Sequence, residues 1–215
     1  MEPRSSDLQT CAISPAAPLV IVDVDEVLAQ FMRGFGAFVA RHGFELRVDR
    51  FALFQNIYRP GESQHLDLIA GKALFDDFFR DGADDLDPAH GAADALADLS
   101  TRAQVVILTN APEHGRLARA KWLKTHGFDY PLVINSGPKG PPAAELASRT
   151  AGPVVFIDDL LPQLESVAEK APQVGRFQMV SDERLRPFAP SAPDRHVRID
   201  EWPQLKIAIE ERLFS

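Results

Sequence analysis

The stretch Leu19-Val20-Ile21-Val22-Asp23-Val24-Asp25-Glu26-Val27-Leu28 runs from four apolar, β-favouring residues straight into two carboxylates. Continuous apolar character without alternation describes a strand covered on both faces. In an extended segment residues 23 and 25 point the same way, because the side-chain period is two. Two carboxylates beyond a buried strand are costly to place together unless a cation or a shared proton compensates them. Magnesium suits such a place as a hard cation that takes carboxylate and substrate oxygens. Acidic loop residues facing solvent are the competing reading of this motif alone.

Three further runs share the pattern: Val105-Val106-Ile107-Leu108, Leu132-Val133-Ile134 and Val154-Val155-Phe156-Ile157. Helical candidates lie between and after them, at about 113–126, 141–149 and 160–170. This alternation is the grammar of an α/β protein, in which right-handed crossovers place the strands in one mostly parallel sheet. Val174–Val180 is expected as a peripheral strand, 187–193 as a loop and Val197–Ile199 as a short extended piece. A final helix is expected near 203–213, beginning at Trp202-Pro203.

The segment 31–88 departs from this rhythm. Phenylalanines at 31, 35 and 38 fall at intervals of four and three, the spacing of one helix face, and more follow at 44, 51, 54, 75, 78 and 79. Strand-like runs do not recur. The expected organisation is a flexible N-terminal arm over 1–18, a core over 19–30 and 89–215, and a mainly helical insert over 31–88. Core packing is the plain explanation for the Phe stripe, and an insert over the strand ends could also close a site to water.

Composition narrows the functional classes. The chain has 215 residues, 45% hydrophobic and 25% charged, with a formal charge of -8. That length builds a core without staples, and one Cys forms no internal disulfide. The acidic balance argues against nucleic-acid polymers and anionic membranes as partners, though not against a small anionic substrate. No apolar run has the length of a membrane span or of a signal peptide, so a cytoplasmic protein is expected.

Three more strand ends carry candidate chemistry. Thr109-Asn110 offers a hydroxyl and backbone N–H groups for a phosphoryl oxygen, or a local cap. Lys139, within Ser136-Gly137-Pro138-Lys139-Gly140-Pro141, could neutralise a transferring phosphoryl group or be a solvated loop residue. Asp158-Asp159 could supply a metal ligand and a supporting acid, or cap the following helix. Open parallel sheets gather functional groups at the C-terminal ends of their strands, and all four constellations sit there.

With these residues in this order, the sequence resembles the haloacid dehalogenase superfamily, in particular its magnesium-dependent phosphatases. The resemblance begins at Asp23-Val24-Asp25, continues through Thr109 and Lys139, and ends at Asp158-Asp159. It implies a doubly wound, mostly parallel sheet with an inserted helical cap. It also implies magnesium-dependent hydrolysis of a small phosphomonoester through an aspartyl-phosphate. Asp23 would be the nucleophile and Asp25 the general acid and base. Thr109, Asn110 and Lys139 would bind the phosphoryl group. Asp23, Asp158 and the backbone carbonyl of Asp25 would hold the metal, with Asp159 supporting them.

Glu26 departs from the family, many of whose members carry Gly there; an outward-facing side chain is expected. The residues also leave open a phosphotransferase or mutase, a deoxyribonucleotide-specific phosphatase with Phe35 or Phe51 stacked on a base, and a non-catalytic interaction module. Arg33, Arg59, Lys72 and Arg80 are candidates for recognising an anion from the cap, against surface ion pairs. The six His are scattered, Cys11 is an ordinary thiol, Trp122 a core residue and Trp202 an anchor for the tail.

Overall fold

A computed structural model describes residues 6–215. A short helix α1 (Ser6–Thr10) precedes strand β1 (Leu19–Val22). The insert holds α2 (Phe31–Arg41), β2 (Glu45–Leu46), β3 (Ile57–Tyr58) and α3 (Leu68–Asp81). The chain then alternates through α4 (Ala92–Leu99), β4 (Gln104–Thr109), α5 (Arg116–Thr125), β5 (Leu132–Ile134), α6 (Gly140–Ala147) and β6 (Val154–Asp158). It closes with α7 (Leu161–Lys170), β7 (Gly175–Gln178), β8 (Val197–Arg198) and α8 (Trp202–Phe214).

The main sheet has the order β5-β4-β1-β6-β7-β8, and every pairing in it is parallel. β1 is therefore an inner strand, which explains why each of its four residues is fully buried. Its register pairs Val22 with Ile107 on one side and Ile157 on the other. The acidic ends of β1 and β6 thus lie side by side. Helices cover both faces, and the apolar side chains divide into two clusters accordingly. One cluster continues without a break from the sheet into the insert, through Val22, Phe31, Phe35, Phe78 and Leu86.

The insert leaves and rejoins the core at one place. Gln30 N–H donates to Asp87 O (2.9 Å), Ala89 N–H donates to Leu28 O (2.8 Å), and Ala29 faces Pro88 in an antiparallel bridge. Inside it Phe78 is the hub of the aromatic core, with Phe31, Phe35 and Phe38 each 5.4–5.5 Å away, edge to face. That is the favoured geometry for ring pairs. Both Trp side chains are buried, and their indole N–H groups donate to Leu86 O (Trp122, 2.7 Å) and Val27 O (Trp202, 2.9 Å).

The insert is mainly helical, as expected, and β2 and β3 add a two-stranded antiparallel ribbon to it. One expectation needs correction. Residues 6–18 are not a free arm: Leu8 and Cys11 are buried against the sheet-side cluster, and Gln104 Nε2 donates to Ser14 O and Ala17 O. Pro15 and Pro18 lie beyond the end of α1 and do not stop the segment from packing. Residues 1–5 of the expected arm lie outside the described residues.

Candidate active site

The parallel register does most of the assembly. Asp23 is the first residue past β1, and its N–H donates to Ile157 O (3.0 Å), which sets it beside Asp158 at the end of β6. Lys139, at the start of α6, reaches both: its Nζ lies 2.7 Å from Asp23 Oδ1 and 2.7 Å from Asp158 Oδ2. All three side chains are buried. Burial alone would lower the Lys139 pKa, but the Asp158 and Asp23 carboxylates outweigh it and hold the ammonium charged.

The Lys139 loop is held by Gln163, Ser166 and Asn110. Lys139 N–H donates to Gln163 Oε1 (2.8 Å), and Gly140 N–H donates to Ser166 Oγ (3.0 Å). A Cβ on Gly140 would come within 2.2 Å of Ser166 O, so the helices approach closely only because residue 140 is glycine. Asn110 Nδ2 donates to Gly137 O (2.9 Å), while Asn110 Oδ1 accepts from Asn135 Nδ2 (2.9 Å). The Asn110 side chain is thus engaged in bracing the loop. Thr109 is fully buried, and its Oγ1 accepts from Ala111 N–H (3.3 Å).

Asp23, Asp158 and Asp159 bring carboxylate oxygens within 4.8 Å of one another. Burial pushes the Asp158 carboxyl up against the opposing effect of Lys139. Burial also pushes Asp159 well up, aided by Asp158 and Asp23. With all three acids ionised, the one ammonium would leave an excess of negative charge. An all-oxygen donor set of this kind fits a hard divalent cation, whose charge would remove that excess. The Asp25 carboxylate is not part of this cluster. It turns to Arg119, whose Nη2 donates to Asp25 Oδ1 (2.6 Å). Burial raises the Asp25 pKa, and Arg119 opposes the rise.

Two features escape a reading of the sequence. Arg119 is fully buried, its guanidinium over the Phe79 ring at 5.2 Å, with Nε and Nη1 lacking hydrogen-bond partners. The available signal was its place three residues before Trp122, on the buried face of α5. Glu26 is the other, and it corrects an expectation: the side chain points inward. At φ +60 it stands in the left-handed region that favours glycine. Its Oε1 accepts from Met32 N–H (2.7 Å), and its Oε2 from Asp182 N–H (2.9 Å) and Ser181 Oγ (3.0 Å). Burial raises its pKa to about 7 against those hydrogen bonds.

Over the carboxylates lies a cavity of about 240 Å³, floored by Asp23, Asp25, Lys139 and Asp159. Its walls include Phe31, Met32, Phe51, Leu53 and Phe75. Phe35 is fully buried in the aromatic core and does not line it, so of the two rings considered for stacking only Phe51 is placed to do so. The cap cations are also elsewhere: Arg33 pairs with Glu183, Lys72 with Asp76 and Arg80 with Asp77, while Arg59 lies over the Phe44 ring. A larger open groove of about 1470 Å³ lies on the other side of Asn110, between α1 and α6, away from the carboxylate cluster.

No helix among the described residues is long and apolar enough to cross a membrane. No protein-family model and no curated protein matches the sequence. Solved structures do match. A haloacid dehalogenase-superfamily hydrolase from Ehrlichia chaffeensis is 16% identical with a TM-score of 0.55, over 92% of this chain and 98% of that one. A haloacid dehalogenase-like hydrolase from Streptococcus pneumoniae is 11% identical with a TM-score of 0.57, over 90% and 98%. A hydrolase of the same superfamily from Bacillus subtilis, solved with magnesium bound and described as revealing interdomain movement, is 15% identical with a TM-score of 0.55, over 91% and 99%. From sheet order to inserted cap, the chain has the fold of the haloacid dehalogenase-superfamily hydrolases.

Proposed function

We propose that this protein is a magnesium-dependent phosphatase of small phosphomonoesters that works through an aspartyl-phosphate on Asp23. The observation that carries the reading is the position of Lys139 Nζ, 2.7 Å from both Asp23 Oδ1 and Asp158 Oδ2, at the mouth of a parallel sheet. A buried ammonium there pairs with Asp23 and counters phosphoryl charge as it builds. Asp23, Asp158 and Asp159 are the side chains that would hold magnesium, with the Asp25 carbonyl. When bound, the ion supplies charge neutralisation and alignment for in-line attack.

The remaining steps use the chain's own groups. An Asp23 oxygen attacks phosphorus and the bond to the ester oxygen breaks. Asp25, its pKa raised by burial, gives its proton to that oxygen, and the alcohol departs. The Asp25 carboxylate then takes a proton from water, whose oxygen attacks phosphorus and breaks the bond to Asp23. Phosphate leaves and the starting protonation returns. Thr109 and the backbone around Asn110 bind phosphoryl oxygens. Similar fold in a magnesium-bound relative supports the metal assignment. Glu26 does not oppose it, since its carboxylate is engaged with Met32, Ser181 and Asp182.

Phosphate release from a panel of small esters tests this, run with magnesium, with chelator and with Asp23→Asn. The expected result is turnover that needs magnesium and disappears in the variant. Magnesium-dependent turnover retained by Asp23→Asn would overturn the assignment of the nucleophile.

A further inference from the structure

We propose that the cavity selects esters whose leaving alcohol is compact and apolar, with an aromatic ring the best fit, and rejects those bearing a second anion or a polyhydroxyl skeleton. This rests on the phosphatase reading and names the substrate class for that site. Every side chain the cap contributes to the space above Asp23 is apolar: Phe31, Met32, Phe51, Leu53 and Phe75, with Ala52 between. Every ionisable group lining it lies on the catalytic floor or in Glu26, and Glu26 is held by three hydrogen bonds.

A second phosphate or a carboxylate on the substrate would find no cation on the cap side. Arg33, Lys72 and Arg80 are turned to surface carboxylates, and none of them lines the cavity. Burying such a charge unpaired is strongly unfavourable, and the acids of the floor would repel it. Sugar hydroxyls would lose water against the phenylalanines. The polar side chains at the edge offer little in return. Asn110 is bonded to Gly137 O and Asn135, and Gln163 Oε1 is taken by Lys139 N–H.

The rings are presented deliberately by the fold. Phe35, Phe38, Phe78 and Phe79 are buried in the cap, whereas Phe51 and Phe75 are only half-buried. Phe51 sits in a loop pinned by buried Asn56, whose Nδ2 donates to Arg50 O (3.0 Å) and Ala52 O (2.7 Å), the carbonyls on either side. Phe75 is held against Phe79, ring centroids 4.8 Å apart, and against Phe54 at 6.1 Å. At about 240 Å³ the space is smaller than the range of about 300–1,000 Å³ for drug-sized ligands. A phosphoryl group and one ring suit it better than a phosphorylated sugar or a nucleotide.

The test compares esters of primary alcohols, so that the leaving groups are alike: benzyl, ethyl, glucose 6-, fructose 1,6-bis- and deoxythymidine 5′-phosphates, with magnesium. The expected result is a kcat/KM for benzyl phosphate about tenfold or more above each of the others. Phe51→Ala and Phe75→Ala should each erode that preference through KM, with a larger loss for benzyl than for ethyl phosphate. A sugar phosphate, the bisphosphate or the nucleotide matching benzyl phosphate would overturn the proposal.

Calorimetric binding of benzylphosphonate, ethylphosphonate and 3-phosphonopropionate to the magnesium-loaded protein separates the two readings. Benzylphosphonate should bind about tenfold tighter than ethylphosphonate, and 3-phosphonopropionate weaker than both. That order without hydrolysis of any ester would sustain the pocket and sink the phosphatase. Hydrolysis of every ester without ring preference would do the reverse, and equal or undetectable binding of the three phosphonates overturns the pocket.

Discussion

Arg119 Nη2 donates to Asp25 Oδ1 over 2.6 Å, from a side chain with no exposed surface to one 26% exposed. One carboxylate oxygen is thereby held, which leaves the other for the proton transfer we propose. Arg119→Ala should lower kcat about 100-fold with little change in KM, the lower end of general acid–base contributions. Arg119→Lys should recover only part, because an ammonium lacks the planar fork. Added guanidinium should restore some activity to the alanine variant. Steady-state phosphate release with and without guanidinium checks this.

Asp159 leads to a stability prediction with a defined sign. Its carboxyl is raised well above the ordinary 3.8 by burial and by Asp158 and Asp23. An acid raised by folding costs stability as pH climbs from its unfolded value through its folded one. Without metal, the protein should therefore lose stability as pH rises above about 4. In chelator, Asp159→Asn should melt higher than wild type at neutral pH. Magnesium at about 100 times its dissociation constant should add about 2.7 kcal/mol to wild type. It should add much less to the variant. Thermal melts in both media decide it.

Substituting the family-like residue at position 26 should harm this protein. Glu26→Gly relieves a positive φ, which is worth about 1–3 kcal/mol. It also strands the buried N–H groups of Met32 and Asp182 and the Ser181 hydroxyl, at about 1–3 kcal/mol each. The second effect wins, so urea unfolding should show a net loss of about 2–6 kcal/mol, the remainder of these two opposing contributions. A gain in stability would contradict the role of the carboxylate.

His196 sets a separate pH response. Burial, with Arg176 and Arg198, lowers its pKa below the ordinary 6.5. Below 6.5 the unfolded chain takes up a proton that the folded chain resists, so the contribution of His196 to stability should fall on acidification through that window, opposite in sign to that of Asp159. The residue matters because its Nε2 lies 3.1 Å from Gln178 Oε1, and Gln178 Nε2 donates to Asp159 O. His196→Gln should flatten the dependence of the urea midpoint between pH 6.5 and 5.

Much of this architecture is legible in the sequence because inner parallel strands advertise themselves. The runs at 19–22, 105–108 and 154–157 are apolar at every position, and helices between them follow from the spacing. What is not legible depends on distant partners. Arg116 and Arg119 look alike along α5. Only the folded chain shows that Arg119 meets a residue 94 positions away while Arg116 stays near the surface with Asp7 and Glu113. Glu26 is similar: its partners at 181 and 182 are some 155 residues on, and a positive φ turns it inward. β2 and β3, at two residues each, are too short to carry a pattern.

The paired backbone contacts at Leu28–Gln30 and Asp87–Ala89 have an evolutionary consequence. Because the insert begins and ends on two segments bridged to each other, its length and sequence can change without altering the distance the core must span. Strand β1 keeps its neighbours whatever hangs from that stalk, provided the replacement still covers the apolar surface shared through Phe31 and Leu86. Reaction and substrate choice are then inherited as two separable modules. A lineage can exchange the ring-lined chamber for another and keep the same chemistry beneath it.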